Sequence, residues 1–210
     1  LEAYQAWQKG HPERPESPRI VVTDWHDVGS RTDIDITIQH LKDSGLDAQF
    51  ADPRDLETRD GELWFEDRRI DMVYKRVIVK ELVEDPNAAA LTEAYRAGTI
   101  CMVNSPRSVI VGNKKILAAI RRPDVLKRLT VEERRAVDAY VPWTEIFRDD
   151  KAECMGFTVN LADFVRDNRE KLVLKAAQSY GGKDVFLGFE TPQEDWEALM
   201  DKHIKNEDWM

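Results

Sequence analysis

A lysine and a glycine-rich loop within residues 172–188 have the types and spacing of a phosphate-binding hairpin. The apolar residues before the loop alternate as in a strand, so Lys175 shares a face with Val173 and is held next to the loop. Glycine tolerates positive φ, so Gly181 and Gly182 can present successive backbone N–H groups to a ligand. A polyphosphate fits both features. The alternative is an ordinary hairpin, in which the glycines only form the turn and the lysine is solvated.

A second pair of lysines stands at the start of the helix that the apolar pattern predicts over residues 113–120. Asn113 is a plausible N-cap, which places Lys114 and Lys115 in the first turn. Cations at this position oppose the helix dipole, and a bound anion would compensate for that cost. The apolar residues predicted to face the core are Ile116, Leu117 and Ile120.

Further candidates follow two strands of the predicted sheet. Asp24, Trp25 and Asp27 lie at the carboxyl end of the apolar run 19–24, where a doubly wound sheet places its ligands, although plain loop residues are the simpler interpretation. Lys75-Arg76 ends another strand and could meet an anionic substrate or form a solvated rim.

His203 and the cysteines give no metal site. His203 lies on the apolar stripe of a helix that we expect to begin with a capping box at Thr191, and a packed role suits it better than a ligand role. Cys101 and Cys154 are too few for a disulfide framework or a zinc site, which favours a reducing cytoplasm.

The elements that must position these residues alternate between strand and helix. Residues 19–51 read as a βαβ unit whose helix is capped by Thr32, and a small hairpin near residues 60–65 precedes further strands at 70–74 and 99–103. Continuous apolar strands are typical of parallel sheets. We therefore predict an α/β fold with about four parallel strands. Capping residues Thr130 and Asn160 predict two later helices.

The composition and motifs of the chain argue against several classes of function. The 210 residues are 42% hydrophobic and carry 31 basic and 40 acidic side chains, a formal charge of −9 that argues against non-specific nucleic-acid binding. No apolar run approaches the length of a membrane span. The dinucleotide fingerprint is lacking, which disfavours a Rossmann-type oxidoreductase. The chain begins without methionine and stops where we expect a new element to start, which predicts a fragment.

Taken in order, the motifs resemble the ATP-grasp superfamily, and in particular the proteins related to the synthetase domain of glutathionylspermidine synthase. The resemblance spans roughly residues 19–209 and rests on the order and spacing of several short motifs. These are residues 70–76, 104–107, Asn113-Lys114 with Leu117, Pro142 with Thr144, 172–175, 180–182 and 187–188.

The resemblance implies a domain organisation. Residues 1–18 would form an N-terminal helix and linker, and residues 19–110 a Rossmann-like pre-ATP-grasp domain with a parallel sheet. Residues 111–210 would form a partial ATP-grasp domain, made of helices and the first, glycine-rich-loop α+β lobe. The second lobe, with the metal-binding acidic residues, would lie outside this chain.

The resemblance also implies a ligand and the residues that bind it. ATP with Mg²⁺ is the expected cofactor, with Lys114 and Lys175 reaching the phosphates. The loop expected to fold over the β- and γ-phosphates consists of Ser179, Tyr180, Gly181, Gly182 and Lys183. The residues expected near the substrate are Arg76, Asn104, Ser105 and Arg107. No catalytic residue and no metal ligand is assigned within this chain.

The implied function is part of an ATP-dependent ligase that joins a carboxylate to an amine or a thiol through an acyl phosphate. Its substrates would be small molecules or peptides, with neither nucleic acid nor membrane as a partner, and this chain alone would be inactive. The alternative is a non-catalytic nucleotide- or metabolite-binding module with a degenerate ATP-grasp fold. Asp184 favours the alternative, because the family often has glycine there and a carboxylate beside the loop would repel phosphate.

Overall fold

The structure is a computed structural model that describes residues 1–154 and 156–210. The chain divides into two compact units, residues 1–108 and 109–210, which we call unit 1 and unit 2. Each unit has its own hydrophobic core.

Unit 1 is built on a parallel sheet. Its strands are β1 (Arg19–Thr23), β2 (Asp47–Ala51), β3 (Leu56–Arg59), β4 (Glu62–Phe65), β5 (Arg68–Arg69), β6 (Met72–Lys75) and β7 (Cys101–Val103). Four of them form the parallel sheet in the order β2-β1-β6-β7, which confirms the predicted sheet. The other three form a small antiparallel sheet, where the sequence predicted a hairpin.

Helices accompany the sheet of unit 1. They are α1 (Glu2–Gln8), α2 (Arg31–Asp43), α3 (Val79–Glu84) and α4 (Ala89–Ala97). Successive side chains of β1 go to different clusters: Val21 packs with Leu91, whereas Val22 packs with Ile34. A strand buried on both faces explains the uninterrupted apolar run in the sequence. Thr32 does not cap α2, because the helix begins one residue earlier and Ser30 occupies the N-cap.

The N-terminal segment predicted to be a helix and linker packs as part of unit 1. Tyr4 in α1 is fully buried, and its hydroxyl donates a hydrogen bond to the Pro15 carbonyl at 2.8 Å. Arg14 is also buried, with its guanidinium 2.5 Å from Glu62 and 3.6 Å from Asp71. Its prolines and charged residues made this stretch look like a linker, but the charge of Arg14 is paired with carboxylates within unit 1.

Unit 2 combines short helices with two hairpins. Its helices are α5 (Ser108–Gly112, which begins at the last residue of unit 1), α6 (Lys115–Ile120), α7 (Pro123–Leu126), α8 (Val131–Tyr140), α9 (Leu161–Asp167) and α10 (Gln193–His203). Its strands are β8 (Lys151–Cys154), β9 (Phe157–Asn160), β10 (Val173–Lys175) and β11 (Val185–Leu187). The β8–β9 hairpin was not predicted, because each of its strands is only 4 residues long and most of their residues are exposed.

Two of the predicted helix starts in unit 2 are confirmed. Thr130 and Glu133 form a capping box, and the Asn160 side chain accepts a hydrogen bond from the Asp163 N–H. The capping box at Thr191 is wrong. The Thr191 hydroxyl instead donates to the Leu187 carbonyl at 2.8 Å, so the preceding turn uses it, and Pro192 occupies the N-cap of α10.

The start of α6 also differs from the prediction. Lys114 occupies the N-cap, and the Asn113 side chain accepts a hydrogen bond from the Lys115 N–H at 2.9 Å. None of the residues of α6 is buried, and Ile116 is 40% exposed, so the predicted core-facing role is wrong. The core of unit 2 instead gathers around Trp196, with Leu161 and Leu174 among its neighbours.

Gly188 is where the chain after β11 passes closest to another backbone segment. A Cβ atom added at Gly188 would lie 1.9 Å from the Arg169 carbonyl oxygen and 2.9 Å from that of Leu172. The Gly188 N–H donates to the same Leu172 carbonyl at 2.9 Å. The residue must therefore be glycine for this turn to stay closed.

We expect Gly188→Ala to lower the free energy of unfolding by about 1–3 kcal/mol, because the backbone must move to admit the methyl group. Urea denaturation followed by tryptophan fluorescence measures this loss. Gly112→Ala is the matched control in unit 2, since a Cβ there meets no atom within 4 Å. Equal stability of Gly188→Ala and the wild-type chain would contradict the close approach.

Candidate functional site

Lys175 lies on a strand that is paired along both edges. On one side, β10 pairs antiparallel with β11, with Lys175 opposite Val185. On the other side, the Lys175 N–H donates to the Met210 carbonyl at 2.8 Å, and the Met210 N–H donates to the Lys175 carbonyl at 3.0 Å. An antiparallel bridge joins the next pair, Ala176 and Trp209. The C-terminal residues therefore add a third extended segment, and the Lys175 backbone is fixed in the middle.

Lys114 is attached to the end of the same strand. Its N–H donates to the Ala177 carbonyl at 3.0 Å, two residues beyond Lys175. Its ammonium group donates to the Ser179 carbonyl at 2.9 Å, at the start of the glycine-rich loop. The structure thus brings together Lys114, the loop and the strand that carries Lys175, although they are far apart in the sequence.

The loop has the backbone conformation that its glycines permit. Gly181 and Gly182 have φ angles of 63° and 74°, and a Cβ atom would meet no neighbour within 4 Å at either position. Consecutive residues of this kind can turn their N–H groups toward an anion. Lys183 places its ammonium nitrogen 5.3 Å from the centre of the Tyr180 ring.

Asp184 adopts the same left-handed region, with a φ of 55°, and its carbonyl accepts a hydrogen bond from the Ala176 N–H at 3.0 Å. That bond anchors the end of the loop to the strand. A side chain in this region is strained relative to glycine, which would fit there without cost.

An apolar cleft of about 230 Å³ opens beside β10. Its wall includes Trp143, Phe147, Leu174 and Met210, and Lys175 lines the same cleft. Glu145 also lines it, and burial raises the pKa of that carboxyl group above its ordinary value. Two motifs of the resemblance, Pro142 with Thr144 and residues 172–175, contribute to its wall. Sequence analysis missed the cleft, because nothing local shows that these separate segments meet.

In unit 1, two of the predicted substrate residues meet at the carboxyl ends of the parallel strands. Arg76 and Asn104 line one open cleft of about 490 Å³ together with Asp24 and Lys75. Among the described residues, Ser108 lines this cleft but Ser105 and Arg107 do not. Neither Trp25 nor Asp27 is part of the described wall.

The charged groups of this cleft are largely buried, so the solvated-rim interpretation is wrong for Lys75. Lys75 is 5% exposed and its ammonium donates to the Val77 carbonyl at 2.9 Å. Burial lowers the pKa of Lys75 and raises the pKa of Asp24, which is 7% exposed. Arg76 forms a 2.9 Å ion pair with Asp33.

His203 is packed within unit 2. Its ring stacks on Trp209 with a centroid distance of 3.7 Å, next to the extended segment that pairs with Lys175. The pKa of His203 is lowered by burial and by nearby Lys202, while Asp184 acts in the opposite direction. In the part of the chain that the structure describes, no group of three or more His, Cys, Asp or Glu residues could hold a metal ion.

Comparison with known families agrees with these features. Residues 39–210 match the sequence model of a family described as a circularly permuted ATPgrasp. The match covers most of the chain and includes all of unit 2, so the chain belongs to this family. The ATP-grasp resemblance is confirmed at this level, and the narrower likeness to glutathionylspermidine synthase stays a prediction.

The chain is also similar to a longer bacterial protein. It is 26% identical over 163 residues to the uncharacterized protein sll0335 of Synechocystis sp., an alignment that covers 71% of this chain. The chain spans about a third (31%) of the length of that curated relative. Within the described ranges, no helix has both the length and the apolar character needed to cross a bilayer.

We expect the packing of His203 to make unit 2 less stable in mild acid. The lowered pKa means that the folded chain binds fewer protons than the unfolded chain just below the ordinary value of 6.5. The free energy of unfolding should therefore fall as the pH drops below 6.5, until the pH passes the folded pKa.

His203→Phe keeps an aromatic ring beside Trp209 and removes the titrating group. Urea titrations between roughly pH 5 and pH 7.5 should show a smaller loss of stability in this variant than in the wild-type chain. His40→Gln, at an exposed position in α2, should leave the pH dependence unchanged. A parallel pH dependence of His203→Phe and wild type would contradict the assignment.

Proposed function

We propose that this chain is the nucleotide-binding part of an ATP-dependent ligase and that unit 2 holds the nucleotide. The observation that carries the proposal is the attachment of Lys114 to the strand and loop that follow Lys175. Two cations and a glycine-rich loop at one end of a strand form a group of donors suited to a polyphosphate. Family membership supports the same assignment.

The proposed phosphate site consists of Lys114, Lys175 and the loop residues 179–183. The ammonium of Lys114 now bonds to a neutral carbonyl, that of Ser179. A charged phosphate oxygen is a stronger acceptor, so a bound nucleotide can take over one of its hydrogen bonds. Gly181 and Gly182 would contribute backbone N–H groups, while Lys183 adds charge at the rim.

The proposed base site is the apolar cleft beside β10. Trp143, Phe147 and Met210 offer flat or adaptable apolar surface, which suits the faces of a purine ring. Lys175 lines the cleft and also lies on the strand that leads to the loop. A nucleotide with its base in the cleft could therefore extend its phosphates along the strand toward the loop.

The proposed chemistry is activation of a carboxylate by ATP as an acyl phosphate, followed by attack of an amine or a thiol. Phosphoryl transfer needs positioning and charge neutralisation more than covalent help from the protein. Lys114 and Lys175 would supply both by holding the phosphate oxygens. Mg²⁺ would supply further charge neutralisation when bound. That its ligands lie outside this chain stays a prediction of the resemblance.

A second candidate function is a non-catalytic binding module, and Asp184 is the observation that favours it. Asp184 directly follows the loop, and its negative charge would oppose a bound anion. The two candidates differ in turnover. If the whole protein to which this chain belongs forms ADP from ATP only when a carboxylate and an amine or thiol are supplied, the ligase proposal is supported. Nucleotide binding without such turnover favours the module.

Two further proposals concern the substrate residues and the location of the protein. We narrow the predicted substrate residues to Arg76 and Asn104, because these two line the charged cleft of unit 1, whereas Ser105 and Arg107 are not part of its described wall. Location in a reducing cytoplasm stays a prediction that rests on cysteine usage.

We expect Lys175→Met to weaken ATP binding by about 10- to 100-fold, the loss of one charge-assisted contact. Isothermal titration calorimetry on the chain measures this change. Lys127→Met, which removes an exposed lysine of unit 2, should bind ATP as the wild-type chain does. If the two variants have equal affinities, Lys175 does not contact the nucleotide.

We expect Asp184→Gly to strengthen ATP binding by roughly two- to tenfold, because it removes a negative charge beside the loop. Glycine also fits the φ of 55° without strain, so the loop should keep its conformation. The same titration compares it with Asp167→Gly, which removes an exposed carboxylate at the end of α9. Unchanged affinity in Asp184→Gly would contradict the placing of the phosphates at this loop.

A further inference from the structure

The cleft in unit 1 contains two buried side chains of opposite charge that form no ion pair with each other among the described residues. Asp24 and Lys75 are both buried and both line the cleft. In the described chain, no ion pair within 4.0 Å joins the Lys75 ammonium to the Asp24 carboxylate. Among the described residues, Lys75 has no ion-pair partner within 4.0 Å, whereas the Asp24 carboxylate lies 3.7 Å from the Arg76 Nε. Burying an ion costs free energy, so a cleft that keeps two buried ions calls for an explanation.

Each of these groups has hydrogen-bonding capacity left. The Lys75 ammonium has three N–H donors, and its one hydrogen bond to a described residue goes to the Val77 carbonyl. One oxygen of Asp24 accepts from the Trp25 N–H at 3.0 Å. The other lies 3.7 Å from the Arg76 Nε, which is beyond hydrogen-bond distance.

Other polar groups at or next to the cleft also have atoms without a hydrogen-bond partner in the described ranges. Arg76 is bound to Asp33 through one terminal nitrogen, but its Nε is buried without a hydrogen-bond partner in the described ranges. The hydroxyl of Thr23, in the strand position before Asp24, is buried and unpartnered in the same way. The wall is completed by polar side chains of Ser30, Asn104 and Ser108.

The position of the cleft is one where parallel α/β sheets bind small molecules. Asp24 follows β1, Lys75 ends β6 and Asn104 follows β7, so the groups come from the carboxyl ends of three strands of one sheet. Loops at this edge are free to form a site while the strands hold its walls in place. The cleft is large enough, at about 490 Å³, for a small metabolite.

We propose that this cleft binds a zwitterionic small molecule of the amino-acid or peptide-terminus class, with its carboxylate on Lys75 and Arg76 and its ammonium group on Asp24. Such a ligand supplies one opposite charge to each buried ion. A dianion such as phosphate suits the cleft less well, because the Asp24 carboxylate would oppose it. As the substrate site of a ligase this inference rests on the proposed function, but as a binding site it stands independently of any nucleotide.

The test uses the full chain without nucleotide. The twenty common amino acids and glycylglycine are titrated into isotopically labelled protein, and backbone amide signals are followed by NMR. We expect at least one of these compounds to give a saturable shift of signals from residues that line the cleft. The N-acetyl and the amide derivatives of that compound each lack one charge, and each should bind about tenfold more weakly or worse.

Two isosteric variants locate the site. Lys75→Met and Asp24→Asn should each weaken binding by about tenfold or more, whereas Arg59→Gln, on the exposed hairpin of unit 1, should not change it. The singly charged derivatives keep the test decisive on the wild-type chain if a variant fails to fold. Absence of a saturable shift from all the compounds, or equal affinity for the derivatives, would overturn the proposal.

The experiment also separates this inference from the nucleotide proposal. Inorganic phosphate is included as a competitor, and its displacement of the amino acid with higher affinity would show an anion site instead, against the proposal. ATP binding is measured separately on the same sample. Failure of ATP binding with intact amino-acid binding would reject the nucleotide proposal alone, and the reverse result would reject only the zwitterion site.

Discussion

The pairing of β10 along both of its edges is the constraint on which the candidate nucleotide site depends. Lys175 is bonded through its backbone to Met210, and Ala176 bridges to Trp209. Hydrogen bonds along both edges prevent the strand from shifting or twisting. The backbone of Lys175 and the start of the loop after it are therefore held in place. Lys114 then joins the same strand through the Ala177 carbonyl. Three separate stretches of sequence thus meet at one strand end, and the flexible part is confined to the glycine loop.

The cleft of unit 1 is governed by buried charges and not by strand pairing. There the strands are fixed by a buried parallel sheet, but the side chains at their ends include two buried ions, Lys75 and Asp24, that form no ion pair with each other in the described chain. Burial pushes the pKa of Lys75 down and the pKa of Asp24 up, which in both cases disfavours the charged form. Such groups are kept more readily where they have a function. Titratable groups with shifted pKa values in a cleft are a recognised sign of a functional site.

Much of this arrangement could be predicted from sequence where a local pattern carries the signal. The apolar run before Asp24 indicated a strand buried on both faces, and Thr130 with Glu133 indicated a helix start. Prediction failed where the outcome depends on distant partners. Thr191 looks like a cap, yet its hydroxyl bonds to Leu187, and none of the apolar residues of α6 is buried. The cleft beside β10 was invisible for the same reason, since tertiary packing alone assembles its wall.

Whether the loop after Lys175 holds the phosphates of a nucleotide can be tested by NMR of the isotopically labelled chain. We expect ATP, added up to about 10 mM, to shift the amide signals of Gly181 and Gly182 saturably, while adenosine, which lacks phosphates, leaves them in place. If ATP leaves both glycine signals unchanged, or if adenosine shifts them equally, the loop does not bind phosphate.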